Sequence, residues 1–163
     1  QSNIYLEVIA SNFNSNKLCR KKWFSLDEAS IQKKIKHSPR VLCWVVAVDN
    51  IEEIVKKCGY NPGEILQLSR GELKWKVTVP SNGKLVENGI LPVLIEWPSN
   101  QHPSWKLKNS KVSINKISLF HPEPLKIKNI ISNLIESDLI QVKKGFQKIE
   151  LSLITVNNKV VID

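Results

Sequence analysis

One register match constrains this chain more than its composition does. Cys43-Trp44-Val45-Val46-Ala47-Val48-Asp49-Asn50-Ile51 and Ile117-Ser118-Leu119-Phe120-His121-Pro122-Glu123-Pro124-Leu125 correspond at one constant offset: an apolar strand, a polar break, then the start of a helix. Tyr5-Leu6-Glu7-Val8-Ile9 and Leu94-Ile95-Glu96-Trp97-Pro98 correspond in the same way, each an apolar run broken by a single glutamate. A strand-helix unit that returns with the same punctuation predicts an internal repeat, and strands mixed with few helices predict an α+β fold.

Local signals set the expected elements around the repeat. Ile4 to Ala10 reads as a strand that runs into the Asn/Ser-rich stretch Ser11 to Asn16. Trp23-Phe24-Ser25-Leu26-Asp27-Glu28 opens a short helical segment, with Ser25 as N-cap and Glu28 at the capping-box position. Arg40 to Val48 is apolar and β-branched, the pattern of a buried strand. Asp49 or Asn50 then caps Ile51 to Cys58, whose Ile51, Ile54, Val55 and Cys58 keep helical spacing until Gly59 stops the helix. Strands follow at Glu64 to Leu68, Leu73 to Val79 and Ile90 to Trp97. Beyond the loop Pro98 to Pro103, Val112 to Phe120 is a strand and Leu125 to Ile135 an amphipathic helix with Pro in its first turn. Gln147 to Val156 and Val160 to Ile162 are strands around Asn157-Asn158. The expected organisation is one domain over 1–163. Residues 1–40 end a first unit and connect it onward, 41–98 form a second βαβββ unit, and 110–163 form a third, shorter βαββ unit. The chain contains no Met, and residue 1 stands three residues before a strand in full stride, as expected of a piece of a longer protein.

Charge narrows the partners. Lys and Arg outnumber Asp and Glu by 24 to 15, for a formal charge of +9, yet Arg20, Arg40 and Arg70 are the only arginines. Bidentate recognition of phosphates and bases favours Arg, so the excess reads as a solvated Lys surface, with neither nucleic acid nor membrane expected as a partner. Affinity for generic duplex DNA is therefore expected to be weak and to vanish near physiological salt in a fluorescence-anisotropy titration; sub-micromolar binding that survives there would reverse this reading. Cys19, Cys43 and Cys58 are odd in number and form no CxxC pair, which argues for reduced thiols, a cytoplasmic location, and against a disulfide framework or zinc ribbon. No GxSxG, Walker loop, GxGxxG or HExxH stands in the chain.

A few residues carry possible chemistry. An ionised carboxylate within an apolar strand costs several kcal/mol unless paired, so Glu7 and Glu96 need partners. Arg70 is the natural cation, either for a glutamate or for an anionic ligand. Trp44, Trp75 and Trp97 belong either to the core or to a concave sheet face. Cys43 is a small core hydrophobe or a pocket thiol. His102 and His121 each precede Pro, where turn capping competes with a role as general base.

Taken in order, Tyr5-Leu6-Glu7 with Ala10, Arg40-Val41-Leu42-Cys43-Trp44, Asn61-Pro62-Gly63, Leu68-Ser69-Arg70, Leu73-Lys74-Trp75, Gly89-Ile90-Leu91-Pro92, Ile95-Glu96-Trp97, His102-Pro103 and His121-Pro122-Glu123-Pro124 resemble the glyoxalase-like domain family of the vicinal oxygen chelate superfamily. The resemblance implies tandem βαβββ units with a curved mixed sheet around a half-open cleft, the first unit incomplete here. The family's first strand and helix, with a Gly-rich segment carrying a His, have no counterpart in this chain.

In metal-dependent members of that superfamily each unit offers a His or Gln from its first strand and a Glu from its last, which chelate a divalent ion. By that resemblance Cys43 stands at the first-strand His position, with Glu7 and Glu96 as the paired glutamates. A soft thiolate beside two hard carboxylates makes an ill-matched ligand set, so no metal of the usual kind and no other cofactor is expected; if a divalent ion binds, Glu7, Cys43 and Glu96 are its candidates. The cleft is expected to be lined by Glu7, Trp44, Arg70, Trp75 and Glu96, with Cys43, Ser69, Trp97 and His102 as further pocket residues, and no catalytic residue is assigned. The implied activity is binding or conversion of a small carbonyl or hydroxy compound, as a lyase or oxidoreductase of the superfamily. The alternative is a non-catalytic ligand-binding or dimerisation module, with a homodimer as the expected assembly.

Overall fold

The computed structural model describes residues 4–10, 23–26, 28–99, 101–108 and 110–163. Three helices and eight strands are described, in two mixed four-stranded sheets. The first sheet holds β1 (Val45–Ala47), β2 (Glu64–Arg70), β3 (Leu73–Val79) and β4 (Val93–Glu96), in the order β1-β4-β3-β2. The second holds β5 (Ser113–His121), β6 (Ile140–Lys144), β7 (Lys148–Ile154) and β8 (Lys159–Ile162), in the order β6-β5-β7-β8. The helices are α1 (Ala29–Ile35), α2 (Ile51–Lys57) and α3 (Pro124–Ser132).

Each sheet is a strand, a helix and three strands in chain order, but the wiring differs. In the first, β1 lies parallel to β4, and the strand that follows α2 occupies the far edge. In the second, the strand that follows α3 lies parallel to and directly beside β5. The matched register therefore covers a strand and a helix start, after which the two halves diverge.

Several expected elements move. Residues 4–10 carry no regular secondary structure and join no ladder, so the expected strand Ile4 to Ala10 is not formed, and the expected strand Arg40 to Val48 pairs only over Val45–Ala47. The helical segment expected from Ser25 is instead a 3-10 turn, Trp23–Ser25, followed by α1, whose N-cap is Glu28. Ser25 sits at φ 57°, and its hydroxyl accepts from the Leu85 N–H rather than capping a helix. The short β6 was not expected. Its Ile140-Gln141-Val142-Lys143-Lys144 holds two apolar residues, too few to stand out beside two lysines. The C-terminal half thus has four strands rather than three. The loop Ser11 to Asn16, together with Cys19 and Arg20, lies outside the described residues.

Packing explains why α2 forms where it does. The Asn50 side chain accepts from the Glu53 N–H at 3.0 Å, as an N-cap should, and Ile51 and Cys58 are fully buried beneath it. Trp44, Val46 and Leu94 meet α2 in one apolar core that continues through Ile127 and Ile131 of α3 to Leu119 and Ile149 of the second sheet. Both sheets are thereby joined through a shared interior. A polar strut adds to it: buried His121 accepts the Glu123 N–H on Nδ1 at 3.0 Å and places Nε2 3.5 Å from a Glu87 carboxylate oxygen, which also accepts from the Gln147 amide at 2.8 Å. No described helix is long and apolar enough to cross a membrane.

Candidate functional site

Strand alternation sorts the candidate residues onto two faces of the first sheet. Trp44, Val46 and Leu94 point toward α2, so Cys43, Val93, Ile95 and Trp97 point the other way. On that face, open in the sense that it lies away from α2, Val77, Val79 and Val93 are buried in a second apolar cluster with Leu66, Leu68, Trp75 and Ile95, and Trp23, Phe24 and Leu85 pack against it. The register pairs Leu68 with Trp75 and Arg70 with Leu73, which carries Arg70 to the rim of the same face.

Aromatic rings extend this surface beyond the sheet. Trp75 and Trp97 lie with centroids 5.3 Å apart, His102 is edge-on to Trp97 at 6.1 Å, Tyr5 is edge-on to His102 at 5.8 Å, and Trp105 lies 6.1 Å from His102. The rings pass from β3 and β4 to the loop that carries His102 and Trp105 and back to Tyr5. That loop is tied down by the Gln101 side chain, which accepts from the Lys74 N–H at 3.2 Å.

Charged groups flank the aromatic wall. Burial raises the Tyr5 hydroxyl pKa above its usual value; Glu7 adds to the rise and Arg70 opposes it, so both charges lie within reach of that hydroxyl. Arg70 makes no ion pair with Glu7 or Glu96. Burial pushes the Cys43 thiol up to about 12, with Glu7 contributing in the same direction. Such a thiol stays protonated at neutral pH and serves poorly as a nucleophile or a metal ligand. Alkylation of Cys43 by iodoacetamide at pH 8 is expected to be about a thousandfold slower than that of an ordinary thiol and to speed up as pH rises. Peptide mapping that found Cys43 labelled as fast in the native protein as in urea would refute this.

His102 is a donor by arrangement. Its Nδ1 accepts the Ser104 N–H at 3.3 Å and lies 2.7 Å from the Ser104 hydroxyl, so the neutral ring carries its proton on Nε2. Burial lowers its pKa, favouring that neutral form. The turn-capping role expected for a His before Pro is thus present, and the ring still offers an N–H to a ligand oxygen.

Glu96 takes a different position from the one expected. One carboxylate oxygen accepts from the Ile51 N–H at 2.7 Å, and the other lies 3.1 Å from Lys76 Nζ, which also meets Glu52 at 2.8 Å. It fixes the start of α2 on the face opposite the aromatic wall, away from Glu7. Trp44 is buried in the core with its indole N–H donating to the Ile90 carbonyl at 2.9 Å, and Ser69 faces the same side as Lys74. The open face therefore gathers Glu7, Cys43, Arg70, Trp75, Trp97 and His102, and leaves out Trp44, Ser69 and Glu96. The sequence did not single out Tyr5 and Trp105 as site residues, although Tyr5 stands two residues from Glu7, whose charge acts on its hydroxyl.

The donors do not suit a chelated metal. Cys43 holds its proton, Glu96 is turned away and already engaged, and no cluster of three His, Cys, Asp or Glu exists among the described residues.

Two mixed sheets and three helices, with an aromatic face on the first sheet, define an α+β domain. The chain belongs to the glyoxalase-like domain family, whose model matches residues 1–135, consistent with the vicinal oxygen chelate superfamily. Searches of curated proteins and of solved structures found no match.

Proposed function

We propose that this domain binds a small polar carbonyl or hydroxy compound on the open face of its first sheet, without a His/Glu metal site. The observation that carries the reading is the line of rings from Trp75 through Trp97 and His102 to Tyr5, flanked by Arg70 and Glu7. The rings supply apolar area against which a small flat molecule can lie. The Nε2–H of His102 suits a carbonyl or hydroxyl oxygen, and Arg70 suits a carboxylate on the same compound. Glu7 sets the opposite sign beside it and disfavours ligands that carry a second anionic group there.

Binding without turnover is favoured by the same residues, since the thiol is held protonated and the ring nitrogen of His102 that could act as a base is already accepting the Ser104 N–H. The test is a tryptophan-fluorescence and NMR titration against a panel of small 2-hydroxy and 2-oxo carboxylates and their neutral alcohols and aldehydes. The carboxylates are expected to bind better, with Trp97→Ala and Arg70→Ala each weakening them by about tenfold. Equal binding by both variants, or binding that requires an added divalent ion, would defeat the reading.

A further inference from the structure

The free edge of the second sheet carries an inference separate from the ligand face. β6 is an edge strand, and its parallel pairing with β5 fixes where its backbone groups point. The Ile117 N–H donates to Leu139 O and the Gly145 N–H to His121 O, so Leu139, Gln141 and Lys143 direct their backbone groups toward β5. Ile140, Val142 and Lys144 direct theirs outward. The Ile140 N–H is used by the Ser137 carbonyl, and no described residue pairs with the remaining outward groups of Val142 and Lys144.

Beside this edge runs an open groove of about 740 Å³ between α3 and β6, with Ile131, Ile135, Ile140 and Val142 as its apolar part. Lys128 lines it from the helix and Glu136 is its one carboxylate. Lys143 also borders this groove, while its ammonium reaches to the other face of β6, donating to the Ser118 hydroxyl at 3.4 Å and lying 5.5 Å from the Phe120 ring centroid. An edge strand rich in lysine is one way a protein discourages its own copies from pairing. The same charges leave the edge open to a strand of opposite sign.

We propose that β6 accepts an extended acidic segment of a partner protein by strand addition, its apolar side chains alternating into the groove and its carboxylates meeting Lys143 on the other face. The period of two in the added strand places one set of side chains over Ile135, Ile140 and Val142 and the other beside Lys143. A second copy of this chain is the poorer occupant, because a formal charge of +9 repels another of the same sign.

The probe is a fluorescein-labelled peptide of five Val–Glu repeats, compared with five Val–Lys repeats, read by anisotropy against the whole chain. The acidic peptide is expected to bind and the basic one not. Val142→Pro removes an outward N–H, a change edge strands tolerate while the bonds to β5 persist, and trims a side chain that packs against the core; it is expected to weaken binding by about tenfold and to lower the melting temperature by a few degrees at most, with a cooperative transition retained. Lys143→Glu is expected to weaken it by about fivefold and to reduce its salt dependence. Equal binding of both peptides, or an acidic peptide bound equally by wild type and Val142→Pro, would overturn the proposal. So would a dimer in sedimentation analysis that Val142→Pro dissolves, since the edge would then belong to a second copy.

Discussion

Replacing Gly89 with Ala is expected to lower the melting temperature by about 10 to 15 °C, or to prevent folding, from the loss of about 4 kcal/mol. Gly89 adopts φ +90°, and a Cβ placed there would lie 2.1 Å from the Leu42 carbonyl oxygen. Neither atom can give way cheaply. The Leu42 carbonyl belongs to the backbone that feeds β1, and Gly89 leads into Ile90, whose carbonyl receives the Trp44 indole N–H. The neighbouring Glu87 and Asn88 already sit at φ 47° and 53°, so the turn has little freedom to relax. Gly71→Ala is the control, since its φ is +59° and nothing lies within 4 Å of the added methyl. It should cost only about 1 kcal/mol, the backbone penalty alone. Thermal unfolding followed by circular dichroism separates the two, and equal losses would show that the close approach to Leu42 is not what demands glycine at position 89.

The second large effect lies in the shared core. Leu119→Ala removes a fully buried side chain from β5 and is expected to cost about 3 to 4 kcal/mol. The informative part is where the loss is felt. Leu119 belongs to the second sheet, while Trp44 belongs to the first, yet both contribute to one continuous cluster through α2 and α3. The near-ultraviolet signal of the tryptophans, all of which precede β5, should therefore melt together with the far-ultraviolet signal of the whole chain, in wild type and variant alike. A Leu119→Ala protein whose tryptophan signal melted at the wild-type temperature would show that the halves fold independently.

The glutamates show how far the residues alone could be read. That Glu7 and Glu96 needed an explanation was plain from the sequence, because each interrupts an apolar run. Their expected convergence in one cleft rested on the assumption that matched runs occupy matched positions. Glu96 instead serves the first turn of α2 and Lys76, and the Arg70 guanidinium, expected to pair with one of them, stands at the rim of the aromatic face near Tyr5. The tryptophans divided in the same way: alternation put Trp75 and Trp97 on the open face, whereas Trp44 fell on the side that α2 covers.

The sequence by itself determined the elements whose signals are local. Asn50 caps α2, and Gly59 follows its last turn at φ +82°. The hairpin of β2 and β3 turns at Gly71, and Pro124 opens α3, because capping hydrogen bonds, allowed φ values and side-chain period are set within a few residues. Only the tertiary structure decided which strands are neighbours, which face of each is covered, and that Ile140–Lys144 is a strand at all. Two halves with nearly the same opening pattern acquired different strand orders, since the choice of neighbour depends on where α2 and α3 meet in the common core, a contact between residues far apart in the chain that no local pattern encodes.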